Sequence, residues 1–317
     1  MTGSTRDEAP PATPHTMNVP APAKVNLLLR VLGRREDGFH DLETLVVPVG
    51  LEDRLRVHAF ADPQVFRSLS VTLELVGEPA DLAGVPLDES NLVLRAAAAL
   101  SEAAGGVRGF AEFVLEKRVP AAAGLGGGSG DAAAALLALD DLWETRMSED
   151  RLREVGAGVG SDVPALLAGT SVLARGRGER VEPHPVPGFR LVLVPFTFGV
   201  STADAFRWWD EDGSVPGPDP AAALAALRGG LPVADGLVND LEPPVAARHP
   251  EIGAVRGLLV AAGAAAVMSG SGPTMIGVLP PGSDGIGDTA RTAIEEISGR
   301  PVIETTSRTA RTSQGGP

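Results

Sequence analysis

Residues 124–130 read Gly-Leu-Gly-Gly-Gly-Ser-Gly, five glycines in seven positions. They follow the β-like stretch 110–117 and run straight into the alanine- and leucine-rich stretch 131–143. Glycine loses much conformational freedom on ordering and is a poor helix former, so a cluster of it at a helix front needs a reason. Strand, glycine loop and helix in that order let backbone N–H groups converge on an anion at the helix N-terminus, with no Cβ between main chain and phosphate oxygens. The competing explanation is a glycine corner that only lets elements pack closely. Five glycines around one serine, directly before a strong helix, favour phosphate.

No glycine in the loop precedes a lysine, which excludes a P-loop. Residues 128–133 fit the loose dinucleotide pattern G-x-G-x-x-A. The acid expected about 20 residues further on falls at 148–152, which begins a helix and does not end a strand. The dinucleotide pattern is therefore weak, and a third class, in which a glycine–serine loop lies against a nucleotide triphosphate without a lysine of its own, competes with it.

Cations are unevenly chosen. Only two of the 27 lysine and arginine residues are lysines, Lys24 and Lys117. Such sites want a compact ammonium that arginine's planar fork does not supply, unless the distribution is chance. Asp162 lies between Ser161 and Val163–Pro164, at what reads as a helix start. A carboxylate there either complements the helix dipole or accepts a hydroxyl proton. Lys24 beside it would keep it ionised, though a strand lysine also commonly lays its stem along apolar surface. Asn26, two residues on, shares the strand face of Lys24. His40 follows Asp37-Gly38-Phe39, in a loop where a lone histidine is usually solvated.

These groups must be positioned by a chain of 317 residues, 44% of them hydrophobic, with a net charge of −14 and no cysteine. That charge disfavours nucleic-acid and anionic-membrane partners. The lack of cysteine excludes disulfides, thiolate zinc sites and cysteine nucleophiles, and fits a cytoplasmic protein. No apolar run is long enough to span a membrane. Residues 1–18, rich in Pro and Thr, read as a disordered tail without the apolar stretch of a signal peptide. Strands are expected at 24–33, 41–50, 53–60, 69–77 and 110–117, and helices from about 90 to 105, at 131–143 and at 148–159, the last capped by Ser148. A short helix at 160–169 has Pro164 in its first turn, and a hairpin turns around Gly176–Gly178. A second unit begins near 186, with a strand at 189–195, helices at 202–209, 220–228 and 250–262, a strand–turn–strand at 264–280, a helix at 285–297 and a strand at 301–305. Residues 210–220 read as a surface loop. Strands and helices mix without a regular βαβ rhythm, so the fold class is α+β.

Residues 120–136, PAAAGLGGGSGDAAAAL, resemble the phosphate-binding motif of the GHMP superfamily of small-molecule kinases, named for galactokinase, homoserine kinase, mevalonate kinase and phosphomevalonate kinase. The form GLGGGS is most similar to the branch that phosphorylates 4-diphosphocytidyl-2-C-methyl-D-erythritol, of the non-mevalonate isoprenoid pathway. PAKVN (22–26), DGFH (37–40), ESNLVLRAA (89–97), GSDVP (160–164) and SGSGPT (269–274) agree in order and spacing, so the resemblance covers about residues 19–306.

The resemblance implies a two-domain α+β fold: an ATP-binding, catalytic domain at 19–185 and a ferredoxin-like substrate domain at 186–306, with the active site between them and tails at 1–18 and 307–317. It implies an ATP- and Mg²⁺-dependent kinase acting on an alcohol that carries cytidine diphosphate, monomeric or weakly dimeric. Asp162 falls on the catalytic base, with Lys24 its electrostatic partner and Asn26 a hydrogen bond to the acceptor. Gly124, Leu125, Gly126, Gly127, Gly128, Ser129 and Gly130 cradle the triphosphate. Asn91 and Leu92 fall near adenine, Lys117 near the nucleotide, and Asp131 where members carry Asp or Asn. His40 falls on the residue that hydrogen-bonds cytosine and Phe39 on an aromatic that stacks on it, Phe standing where tyrosine is common. Phe206, with Thr202 nearby, matches a second stacking aromatic or else faces the core. Ser271 and Gly272 belong to a turn against the phosphate or acceptor side. The usual second serine after the glycines is Gly130, which leaves Ser129, water and the phosphates to hold Mg²⁺. Two alternatives stay open: a homoserine- or mevalonate-type kinase of the same superfamily, which DGFH argues against, and a nucleotide-binding regulator without turnover, against which Lys24 and Asp162 both stand.

Overall fold

The computed structural model describes residues 14–213, 220–229 and 233–308. Its frame is two very long strands, β1 (His15–Arg34) and β2 (His40–Ala61), paired antiparallel. The segments 41–50 and 53–60, expected as separate strands, are one strand, because β1 continues opposite both. Register slips between Pro22 and Lys24, between Asn26 and Leu28 and between Val31 and Gly33 bend the ribbon, as bulges do. The expected tail at 1–18 overlaps β1. His15–Asn18 pair with Arg56–Ala59, while residues 1–13 lie outside the described residues. At the other end, Ser307 bridges Val49 and the Arg308 amide donates to the Pro48 carbonyl, so these two residues also belong to the fold; the rest of the expected tail, 309–317, lies outside the described residues.

Beyond β2 come β3 (Leu69–Gly77), the single turn α1 (Pro79–Leu82), α2 (Leu92–Ala103), β4 (Gly109–Lys117), α3 (Gly127–Leu142), α4 (Glu149–Val159), α5 (Val163–Leu167), β5 (Val172–Gly176) and β6 (Arg180–Pro183). The sheet runs β3–β4–β2–β1, with β5 on the other edge of the first half of β2 and β6 beyond it. Leu55, Val57, Phe113 and Leu115 point from this sheet into a core closed by α2–α5. Alanines 132–135 of α3 are all buried there; small side chains let the helix lie close on the sheet.

The remaining chain forms β7 (Arg190–Val194), α6 (Thr202–Glu211), α7 (Pro220–Gly229), β8 (Val238–Asn239), α8 (Glu242–Arg248), α9 (Pro250–Ala261), β9 (Ala265–Met268), β10 (Met275–Val278), α10 (Asp288–Ser298) and β11 (Ile303–Thr306). Its sheet is antiparallel throughout, in the order β11–β7–β10–β9, the split βαββαβ arrangement of a ferredoxin-like unit. Part of the expected loop at 210–220 is the end of α6, and 214–219 lie outside the described residues.

The two sheets are not independent. β8 pairs parallel with β1, returning to the first sheet from within the second unit. Val25, Leu27 and Leu45 of the first sheet share one core with Leu191, Leu193 and Ile276 of the second. A buried ion pair, Arg30 to Asp240 at 2.9 Å, fastens the junction.

Candidate active site

Helix α3 starts at Gly127, earlier than expected, so the glycines are its first turn. Gly126 caps it at φ +66°, where a Cβ would lie 2.8 Å from the Lys24 stem. Gly124 stands at φ +76°, with 2.6 Å from a Cβ to the Ser269 carbonyl oxygen. Both positions require glycine by conformation and by space. At Gly130 a Cβ would meet the Pro22 carbonyl at 2.5 Å, so this glycine lets α3 close on β1. A side chain at 130 points at the strand. The packing explanation therefore holds for these glycines. The amides of Gly127, Gly128 and Ser129 have no acceptor among the described residues, being the first of a 16-residue helix.

That helix end opens on a cleft of about 1230 Å³ between the two units. Lys24, Asn26, Gly124, Gly126 and Asp162 line it. So do Phe39, His40, Thr202, Phe206, Ser271 and Gly272. Eleven of the residues singled out in the sequence thus meet in one cavity.

The Lys24 ammonium is 5% exposed and stands 3.4 Å from Asp162 Oδ2. It donates to Asn26 Oδ1 at 2.7 Å and to the Gly124 carbonyl at 3.2 Å. Asn26 is fixed in turn: its Nδ2 donates to Thr44 Oγ1 at 2.7 Å, and Thr44 donates to the Leu28 carbonyl at 2.7 Å. Ser269 accepts from the Asn26 amide and donates to the Gly124 carbonyl, tying the turn 269–274 to the glycine loop. Asp162 occupies the N-cap position of α5, yet its side chain makes no cap hydrogen bond. Its carboxylate, 36% exposed, faces the cleft and Lys24.

His40 Nε2 meets Asp210 Oδ1 at 2.8 Å. The His40 ring stacks on Phe206 (centroids 4.8 Å, 19° between planes) and takes the edge of Trp209. Phe206 packs against the core of the second unit and also lines the cleft. Phe39 is half exposed, with the Arg177 guanidinium 3.9 Å from its ring centre. Thr202 Oγ1 and Ser271 Oγ are 3.1 Å apart, linking the start of α6 to the turn 269–274.

Other expected residues lie outside this cleft. Asn91 is 5% exposed and spends its side chain on capping α2, accepting from the Val93 amide and donating to the Pro86 carbonyl. Leu92 packs near Gly128 and Gly160, and Leu125 is core. Lys117, expected to touch nucleotide, is 4% exposed and pairs with Asp53 and with Asp131 Oδ2, the latter at 3.0 Å. Its Nζ lies 3.3 Å from the Cβ position of Gly127, so its charge sits under the helix start. It also borders a smaller cavity of about 460 Å³ with Val76, Glu78 and Asp81. Burial works against the Lys117 ammonium, but the charges of Asp131 and Asp53 outweigh it and hold its pKa above the usual lysine range. Burial, reinforced by the Asp53 carboxylate and opposed by Lys117, pushes Asp131 up to about 8.

Sequence reasoning missed Asp53, which also accepts from the Arg118 and Val119 amides. An acid at the start of a half-buried strand pattern was the available signal. It also missed Thr44, Asp210 and Ser269, whose partners are 16 to 243 residues away in the chain.

The chain matches the family model of the GHMP kinase N-terminal domain over residues 91–170 and that of the GHMP kinase C-terminal domain over 222–287. It is 45% identical over 262 residues to a 4-diphosphocytidyl-2-C-methyl-D-erythritol kinase of Pelotomaculum thermopropionicum, covering 81% of this chain and 87% of that one. It is 39% identical to the kinase of the same name from Salinispora tropica, over 98% of this chain and 95% of the relative. A crystal structure of a 4-(cytidine 5'-diphospho)-2C-methyl-D-erythritol kinase superposes with a TM-score of 0.72 at 37% identity, covering 92% of this chain and 99% of that one. Homoserine kinase from Cytophaga hutchinsonii shares the fold alone, at 20% identity and a TM-score of 0.66, over 98% of each chain. With a glycine-capped helix start, a lysine–aspartate pair and an aromatic-walled cleft in one cavity, and relatives of this closeness over most of its length, the chain belongs to the GHMP kinases, in the 4-diphosphocytidyl-2-C-methyl-D-erythritol kinase family.

Proposed function

We propose that this protein transfers the γ-phosphoryl group of ATP to the 2-hydroxyl of 4-diphosphocytidyl-2-C-methyl-D-erythritol, in the non-mevalonate route to isoprenoid precursors. One observation carries the reading. The Lys24–Asp162 pair stands in the same cleft as Gly124 and Gly126, which lead into the start of α3, and the aromatic side chains of Phe39, His40 and Phe206.

Phosphoryl transfer is mostly positioning and charge stabilisation. The amides of Gly127, Gly128 and Ser129 bind phosphate oxygens. Asp162 Oδ2 accepts the proton of the acceptor hydroxyl as that oxygen attacks phosphorus. Lys24 offsets negative charge growing on the transferred group. Asn26 holds Lys24 and offers the acceptor its amide. Phe39 and Phe206 present ring faces to cytosine, and His40 a ring nitrogen.

No group of three His, Asp or Glu side chains suited to a metal exists among the described residues. That donor set fits Mg²⁺ held mainly by triphosphate and water, as this ion allows. The Ser129 hydroxyl, 3.7 Å from the Cβ position of Gly160, is the protein oxygen we assign to it. When bound, Mg²⁺ supplies positive charge to the β- and γ-phosphate oxygens. A cytoplasmic monomer or weak dimer, without nucleic-acid or membrane partners, accords with the charge of −14. No helix among the described residues is long and apolar enough to cross a membrane.

The test is ADP release with ATP, Mg²⁺ and three acceptors: the cytidine diphosphate methylerythritol, homoserine and mevalonate. We expect turnover with the first alone, lost in Asp162→Asn. Turnover only with another acceptor would overturn the substrate, and ATP binding with no turnover would overturn the activity.

A further inference from the structure

Helix α6 touches His40 through three residues spaced at one helical face: Phe206 on the ring plane, Trp209 on its edge and Asp210 at Nε2. The histidine is 9% exposed and lines the cleft, so its ring orientation is set by this helix. Asp210 Oδ1 lies 2.8 Å from Nε2, and its other oxygen faces Arg34 Nη1 at 3.7 Å. A carboxylate anion only accepts. The proton of the neutral imidazole therefore belongs on Nε2. Nδ1, which has no hydrogen-bond partner among the described residues, is left as a lone-pair acceptor.

We propose that Asp210 is a positioning residue that makes the enzyme read cytosine: by fixing the Nε2–H tautomer of His40 it leaves Nδ1 to accept from the exocyclic amine of the base. Cytosine carries an N4 amine, a donor, where uracil carries a carbonyl oxygen, an acceptor. An accepting Nδ1 rewards the first and opposes the second with two facing lone pairs. Polar sites built for one partner reject the mismatched analogue strongly, because a buried group is left unpaired. In Asp210→Asn the side-chain amide offers either an oxygen or an N–H to Nε2. The second choice moves the ring proton to Nδ1 and reverses its sense.

This inference rests on the proposed acceptor, and its test separates the two. Relative kcat/KM is measured for the cytidine diphosphate acceptor and its uridine counterpart, in the unaltered protein and in Asp210→Asn. We expect a preference for the cytidine compound that falls at least about tenfold in the variant, through the acceptor KM, while the KM for ATP does not move. In parallel, ¹⁵N NMR of the unliganded, unaltered protein should show His40 with an unprotonated Nδ1 and a protonated Nε2. An unchanged ratio in a variant that still turns over the acceptor, and in which the same NMR measurement finds the His40 proton moved to Nδ1, would overturn the inference alone, as would a protonated Nδ1 with a bare Nε2 in the unaltered protein. Failure of the unaltered protein to use the cytidine compound would overturn the proposed function and this inference with it.

Discussion

The Lys24 ammonium reaches Asp162 at 3.4 Å while being held by two other acceptors, Asn26 Oδ1 and the Gly124 carbonyl. Its place is thus set by the strand and the glycine loop and does not depend on Asp162. The lysine side chain is nearly buried and that of the aspartate about one-third exposed, so a fixed ammonium stands beside a carboxyl group that is open to the cleft.

Removing the charge of Asp162 should therefore spare the architecture and remove the chemistry. Asp162→Asn is expected to lower kcat by roughly 10²–10⁴-fold, the usual worth of a positioned base, with ATP affinity within about twofold. ADP release and nucleotide titration measure the two. A kcat within threefold of the unaltered protein would show that Asp162 is not the base.

Gly126 and Lys24 are coupled by contact. Gly126→Ala adds a methyl at φ +66°, 2.8 Å from the lysine stem. We expect a loss of about 1–2 kcal/mol in urea unfolding from backbone strain, together with a fall in kcat as the ammonium is displaced. A stable variant with normal turnover would contradict the packing described.

Restoring the serine usual in the family, Gly130→Ser, should harm and not help. Its Cβ would meet the Pro22 carbonyl at 2.5 Å, on the strand side of α3. The expected result is a lower melting temperature, about 1–3 kcal/mol of overpacking, and no tighter Mg²⁺ dependence of activity. A sharper Mg²⁺ response would show that residue 130 addresses the metal.

Asp131 links stability to pH. Its pKa rises on folding from 3.8 to about 8, so the folded state binds this proton more tightly than the unfolded chain. The associated stability is complete below the unfolded value and is lost as pH rises towards and through 8. Thermal unfolding from pH 5 to 9 should therefore show a decline that is shallower in Asp131→Asn. Parallel curves for the two proteins would refute the shift.

Phe39 is half exposed, so only its ring matters for stacking. Phe39→Tyr is expected to keep the acceptor KM within about twofold, and Phe39→Ala to raise it roughly tenfold, since an aromatic–base stack contributes about 1–3 kcal/mol. Steady-state kinetics at saturating ATP decides it; an unaffected alanine variant would remove Phe39 from the acceptor site.

The local chemistry of this protein was legible in its sequence. The glycine cluster before an alanine-rich helix, two lysines among 27 basic residues, and an aspartate before Val163–Pro164 are features of composition and spacing, and each marks a residue at the site or under its helix. Most elements could be placed as well, because apolar periodicity is a local property. What tertiary structure decided is how the charges are shared. Lys24 and Lys117 look alike in the sequence, yet one faces the cleft beside Asp162 and the other is sealed between Asp53 and Asp131. Asn91 carries the polar group expected at the nucleotide, but spends it on a helix cap. The partners that make these choices, such as Asp210 at His40, 170 residues away, are brought together by strand pairing and helix packing alone. A sequence shows which groups are capable of ionising or bonding; only the folded chain determines which of them remain free after the protein has satisfied its own buried polar atoms.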